Sequence, residues 1–199
     1  MVIFSCMIAV QGDDKQIWIV QRDYELSSVG FLMRNEVKNS FKFVVRESFP
    51  CIGKNSRNSV VHDDKVCHIQ MSSKPIAAYA FVAEGYPERI IFAFLNKVLQ
   101  IFTDKVGNGW KDFTKDENLG IGAISEEFKR FQDPAKADKL AEALKEVNAT
   151  KVVLHDSIKK LLERQGDLDR LVEKSKDLSD GAKQFYKTSK KMDSCCQLI

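Results

Sequence analysis

The residues best equipped for chemistry are the last five, Cys195-Cys196-Gln197-Leu198-Ile199. A cysteine followed by a polar, an aliphatic and a terminal residue is the C-a-a-X pattern read by protein prenyltransferases, with Cys196 as the thioether acceptor. Ser, Met, Gln or Ala in last place directs farnesyl, and Leu or Phe directs geranylgeranyl. Ile199 belongs to neither set, and its Leu-like bulk leans toward geranylgeranyl. The bland alternative is an ordinary chain terminus.

Other reactive side chains form no comparable pattern. Cys67 and His68, with His62 and Cys51, lack ligand-pair spacing for a metal. Neighbours on a strand also point to opposite faces, so Cys67 and His68 do not share one ion easily. Neither Cys6 nor Cys51 has an identifiable base, so no nucleophile or catalytic residue is expected. There is no Gly-x-x-x-x-Gly-Lys phosphate loop, which excludes the prenylated small GTPases. No enzyme, cofactor or metal is expected. Ser175, Ser179 and Ser189 are conceivable phosphorylation sites.

Bulk properties are ordinary for a folded protein. The 199 residues carry a net charge of +3, too small to argue for nucleic acid, and five cysteines form no disulfide framework. No run of about 18 apolar residues occurs, so nothing is expected to span a bilayer. Met1 to Cys6 lacks a basic stretch and a cleavage site, so a signal peptide is not expected. The expected setting is the reducing cytosol.

Composition shifts near Gln132-Asp133-Pro134. All four prolines and both tryptophans lie at or before Pro134, whereas residues 135–199 hold only Gly166 and Gly181 as breakers. Upstream, the apolar run Val2 to Val10 reads as a strand covered on both faces. Ile17 to Gln21 returns after the turn at Gly12, and Val66 to Met71 and Ile76 to Ala83 follow, with a fragment near Ser59 to Val61. Helices are predicted over Val37 to Phe49, Pro87 to Phe102 and Leu119 to Phe131. Pro87 suits a first helical position. Ile90 to Leu95 is apolar all round, the mark of a buried helix. The fold class is α+β, an antiparallel sheet sandwiched by helices. Downstream, one long helix is expected.

The helix from Val37 carries an anomaly. Val37, Phe41, Val44 and Val45 form one stripe, and Phe43 points roughly 145° away from it at 100° per residue. That implies a second binding surface, one exposed Phe, or a helix packed on both sides.

The long helix has a heptad seam: Leu140, Ala143, Val147, Thr150, Leu154, Ser157, Leu161, Arg164, Leu168, Leu171, Ser175, Leu178, Ala182, Phe185, Ser189 and Met192. Residues 140–192 hold 21 charged side chains, so about six would fall on 16 random positions, yet only Arg164 does. This is a coiled-coil seam. Leu144, Ile158, Leu162 and Val172 widen the stripe beyond what a two-stranded coil needs, which suits packing among several helices. Alone, the segment cannot bury that stripe, so it is expected to be unfolded or docked until partner helices arrive. His155, beside Leu154, reads as solvated. Arg164 in mid-seam costs stability unless partner helices supply acceptors that fix register; the simpler alternative is an Arg snorkelling at a stripe edge.

With these residues in view, the chain resembles the lipid-anchored longin R-SNAREs, relatives of synaptobrevin that end in a prenylation box instead of a transmembrane helix. Val153-Leu154-His155, Leu162-Glu163-Arg164, Leu168 to Ser175 and Phe185-Tyr186-Lys187 resemble the R-SNARE motif. Phe131-Gln132-Asp133-Pro134 resembles the junction of longin domain and motif. Gly30-Phe31, Arg34 and Tyr86-Pro87-Glu88-Arg89 resemble the longin domain, and Ser194-Cys195-Cys196 the paired terminal cysteines.

The resemblance implies a profilin-like longin domain at 1–132, an R-SNARE motif at 136–193 and a lipidation tail at 194–199. It implies a vesicle-fusion protein, with Arg164 held by three glutamines from Qa, Qb and Qc helices. The longin domain would fold back over its own SNARE motif and shelter the lipid, with Phe43 as the candidate groove residue. Implied locations are the cytosol and the cytoplasmic face of Golgi, vesicle, vacuole or endosome membranes, with ER–Golgi transport as one setting. A single prenyl chain anchors marginally, so Cys195 is the candidate for a second lipid, reversible if palmitate. Lys183, Lys187, Lys190 and Lys191 would add attraction to anionic headgroups. The competing class is a lipid-anchored adaptor or tether that self-associates through its coil.

Overall fold

The first apolar run is uninterrupted because both of its faces are covered. It forms β1 (Ile3–Gln11), paired antiparallel with β2 (Ile17–Tyr24) on one side and β5 (Ile76–Ala83) on the other. The computed structural model describes residues 2–62, 64–143, 152–155, 157–163 and 166–183. Between β2 and β5 in the chain lie α1 (Arg34–Ser48), β3 (Arg57–His62) and β4 (Lys65–Met71). The fragment expected near Ser59 is thus a full strand. After β5 come α2 (Glu88–Val106), α3 (Gly122–Arg130) and α4 (Pro134–Ala143). Pro87 is the cap of α2, with extended ψ, so the helix starts one residue later than expected.

Strand periodicity divides the core into two layers. On β5, Ile76, Ala78, Ala80 and Val82 join the layer beneath α2, whereas Ala77, Tyr79 and Phe81 join the layer beneath α1. Ile90 to Leu95 of α2 are all buried, because α2 packs on β4 and β5 and is itself covered by α3 and α4. Gln132 fixes the junction: its amide oxygen accepts from Ile3 N at 3.1 Å and its amide nitrogen donates to Ile3 O at 2.9 Å. Beyond it, α4 buries Ala137 in the α2 layer, and Arg89 pairs with Asp138.

The described C-terminal residues do not form the one long helix expected downstream of Pro134. They continue as β6 (Val152–His155), α5 (Ile158–Leu162) and α6 (Leu168–Lys174). The sheet order is β2-β1-β5-β4-β3-β6, with β6 parallel to β3 and every other pair antiparallel. An unpartnered seam must bury its apolar stripe somewhere, and here the N-terminal domain receives it. Gly166, at φ +140°, lies between α5 and α6, a backbone conformation that side chains beyond Cα resist. Ser157 and Asp167 cap the two short helices by accepting from Lys160 N and Asp169 N. A hydroxyl that reads as a seam layer in one long helix is an N-cap in the docked segment.

Strand alternation sends Cys67 into the α1 layer and turns His68 toward α2, edge-on to Phe92 at 5.3 Å between ring centroids. Ser59 Oγ lies 2.8 Å from His68 Nδ1 and also donates to Glu88. Burial lowers the His68 pKa from its ordinary value to about 4. The unfolded chain therefore takes up this proton near pH 6.5, while the folded chain resists it until about pH 4. Stability from this group is complete above pH 6.5 and falls by about 3 kcal/mol as pH drops to 4. Denaturant titrations across that window should show a shallower decline for His68→Gln than for wild type. Equal slopes would remove His68 as the cause.

Candidate functional site

The site is the surface that receives the described residues between 152 and 183. It starts at the β3 edge, where an exposed strand would present unpaired backbone groups. β6 covers it in parallel register, Arg57 opposite Val152 and Val60 opposite His155. His155, expected to be solvated, is buried, with Nε2 3.0 Å from Asn58 Oδ1. It lies at the end of a strand beside a polar partner instead of on the outer face of a helix. Leu154 stays 70% exposed and Val153 is exposed too.

Past β6 the chain crosses α1. Ile158, Leu161 and Leu162 of α5, Leu168 and Val172 of α6, and Leu178 are buried in one cluster with Phe41, Phe43, Val44 and Val45 of α1. Leu171 and Ala182 pack against its margin. Phe43 is fully buried, so the reading of one exposed Phe falls. Phe41 faces the sheet and stacks on Phe81 at 4.0 Å, while the off-stripe Phe43 joins the layer shared with the docked segment. Cys51 Sγ donates to Leu161 O at 3.5 Å.

Polar contacts fix the register of docking. The Arg46 guanidinium donates to Asp177 at 2.8 Å, to Asp116 at 2.6 Å and to Ile17 O. Burial opposes its charge, but the two carboxylates outweigh burial and hold its pKa above the ordinary value. Asp116 also accepts from Ile19 N at 2.9 Å, so the pair is anchored to β2. Ser179 donates to Glu36 at 2.6 Å, near the start of α1. Arg46, Asp116, Glu36 and Asn58 carry no periodic pattern and were not anticipated. Arg46, in the last turn of α1, looks in sequence like an ordinary helix-end cation.

Of the seam positions, Leu161, Leu168 and Leu178 are buried at this site, Leu171 and Ala182 lie at its edge, Ser157 caps α5, Ser175 accepts from Asp177 N, and Leu154 faces solvent. Arg164, Val147, Thr150, Phe185, Ser189, Met192, Cys195 and Cys196 lie outside the described residues, as do the side chains of Leu140 and Ala143. Among the described residues no helix is long and apolar enough to cross a membrane.

Comparison with known proteins places this geometry in context. Residues 26–131 match the family model described as a regulated-SNARE-like domain (Longin), and residues 139–196 match Synaptobrevin. The VAMP-like protein YKT61 of Arabidopsis thaliana is 35% identical over 181 residues, covering 91% of this chain and 90% of the relative. The synaptobrevin homolog YKT6 of Candida glabrata is 32% identical over 193 residues, covering 96% of this chain and 94% of the relative. The homolog of the same name from Yarrowia lipolytica is 33% identical over 177 residues, 88% of each chain.

Proposed function

The chain belongs to the longin-domain SNAREs of the synaptobrevin family, and from that premise we propose that it is an R-SNARE held closed by its own N-terminal domain. It is a SNARE protein of vesicle trafficking and not an enzyme. In this reading, residues 1–132 are the longin domain, 136–193 the SNARE motif and 194–199 the lipidation tail. The motif joins Qa, Qb and Qc helices in a four-helix bundle, with Arg164 at its central layer. Zippering from Leu140 toward Met192 draws the lipidated end toward the partner membrane, driven by burial of the seam layers.

One observation carries the autoinhibited form. Leu161, Leu168 and Leu178 belong to the seam and are buried against α1 and the sheet. A side chain cannot fill both places, so docking on the longin domain and entry into a bundle exclude each other. The segment's short helices and strand must also be rebuilt as one helix before assembly. Undocking is therefore a barrier that partner helices or another agent must overcome.

Mixing the full chain with purified Q-SNARE helices tests the bundle. A complex of one copy each is expected, slower to form than with a chain in which the docked segment is released, and lower-melting for Arg164→Ala. Self-association of this chain as a dimer or trimer, with no mixed complex, would instead support the adaptor reading.

Membrane attachment is assigned to a prenyl group on Cys196 and a second lipid on Cys195. Two chains anchor firmly where one is marginal, so a reversible second lipid lets the protein cycle. Fractionation of Cys195→Ser and Cys196→Ser should show both leaving the membrane fraction, Cys196→Ser more completely. Membrane-bound fractions equal to wild type in both variants would refute this assignment.

A further inference from the structure

Three consecutive apolar side chains, Phe31, Leu32 and Met33, stand 81%, 86% and 57% exposed at the entrance to α1. They are not a loose end. They occupy a single 3-10 turn closed by Met33 N donating to Gly30 O at 2.9 Å. The Arg34 guanidinium ties the preceding loop down by donating to Val29 O at 3.0 Å and to Ser27 O at 3.4 Å. Leu26 before the turn is buried, and Val29 and Val37 on either side of it pack against the core. The loop is thus fixed at both ends while its tip shows apolar side chains to water, an arrangement that marks an interaction surface.

Charge indicates the partner. Arg34, Lys38 and Lys42 follow at four-residue spacing, which places them along one flank of α1 running back from the turn. Lys38 lies over the Tyr24 ring at 5.2 Å. The acidic neighbours are accounted for locally: Glu25 accepts from Ser27 N, and Glu36 accepts from Ser179. An apolar tip backed by cations fits the boundary between acyl chains and anionic headgroups.

Position agrees with charge. The Ser179–Glu36 contact brings the docked segment to the first turn of α1, and Ala182 packs on the same cluster as Val29 and Val37. Cys196 lies thirteen positions beyond Lys183, and that length of chain spans up to about 43 Å when extended. A lipid on Cys196 and the Phe31–Met33 tip can therefore meet one bilayer together.

We propose that Phe31, Leu32 and Met33, with Arg34, Lys38 and Lys42, form a membrane-contact surface for anionic bilayers, available while the SNARE segment is docked. It is a protein-borne second membrane signal, separate from the bundle, and it stands whether or not the bundle reading does. The wedge enters the interface, the cations hold the headgroups, and a marginal lipid anchor becomes an adequate one.

The test is flotation of the full chain, made without lipid, on vesicles of phosphatidylcholine alone or with about a third phosphatidylserine. Binding to the anionic vesicles is expected, falling as salt screens the cations. Phe31→Ser/Leu32→Ser should lower the partition coefficient at least about tenfold, and Lys38→Glu/Lys42→Glu should remove the preference for phosphatidylserine. Phe31 and Leu32 are exposed and Lys38 and Lys42 half-buried, and an unchanged thermal melt confirms that folding is retained. Wild type that fails to float, or a serine variant that floats equally well, overturns the proposal. So does a concentration-dependent dimer that the serine variant abolishes, since a second copy would then cover the turn. No Q-SNARE enters the assay, so its failure leaves the bundle reading intact.

Discussion

Phe43→Glu is expected to free residues 152–183 from the longin domain without unfolding that domain. Phe43 is fully buried in the cluster that also holds Ile158, Leu161, Leu162, Leu168 and Val172 of the docked segment. Placing a carboxylate there removes a large apolar contact, worth about 3–5 kcal/mol for Phe to Ala, and adds the cost of an unpaired buried charge. The domain core can bear this, because Phe41 keeps its stack on Phe81 and helical periodicity sets Phe43 roughly 145° from the stripe that Phe41 shares with Val44 and Val45. The docked segment cannot. The contacts that hold its short elements include that cluster, the β6–β3 ladder, the Arg46 and Glu36 contacts and those of Asn58 with His155 and Cys51 with Leu161, and together they must offset the entropy of ordering the chain. A loss of several kcal/mol moves the docking equilibrium by more than about a hundredfold. Hydrogen exchange should show amide protection lost at Val152–His155 and Ile158–Leu162 and kept at Ile3–Gln11 and Ile76–Ala83. Protection retained at β6 would show that Phe43 does not clamp the segment. If the segment is freed, assembly with Q-SNARE helices should accelerate.

The sequence made this residue legible and left its counterpart hidden, for physical reasons that differ. Phe43 stood out because helical periodicity is rigid: a large aromatic far from the stripe needs a second covering layer. The strands of the domain were legible in the same way. Ile76 to Ala83 buries both faces and therefore reads as an unbroken apolar run, and Ile90 to Leu95 is apolar all round because α2 is covered on both sides. The same rule misleads over Val152-Val153-Leu154. Leu154 lies on the heptad seam, yet two β-branched valines followed by an apolar residue also fit a strand. Which form appears depends on whether the β3 edge or partner helices supply the other half of the contacts, and that choice is not encoded locally. His155 follows β6: solvated on a long helix, buried against Asn58 once the strand forms. The Arg46–Asp116–Asp177 cluster was invisible for another reason. Its members are 70 and 131 residues from Arg46, and no periodicity links charges brought together only by the fold.

Leu161→Asp separates the two states that share this segment. Leu161 is a seam position and is fully buried beneath α1 in the docked form. Loss of a buried leucine costs about 2–5 kcal/mol, and a buried carboxylate adds to that in either setting. The variant should therefore release the segment much as Phe43→Glu does, with the same loss of amide protection at β6 and α5. Its effect on assembly should be opposite. Phe43 lies outside the seam, so its substitution removes only the barrier, whereas Leu161 would be a layer of the bundle one step from Arg164. Complex formation by Leu161→Asp should fall at least about a hundredfold despite its open segment, and adding Phe43→Glu should not restore it. A Leu161→Asp chain that opens and then assembles as fast as Phe43→Glu would mean that Leu161 is a docking residue alone. The seam frame running through Leu154, Leu161 and Leu168 would then be wrong by at least one position.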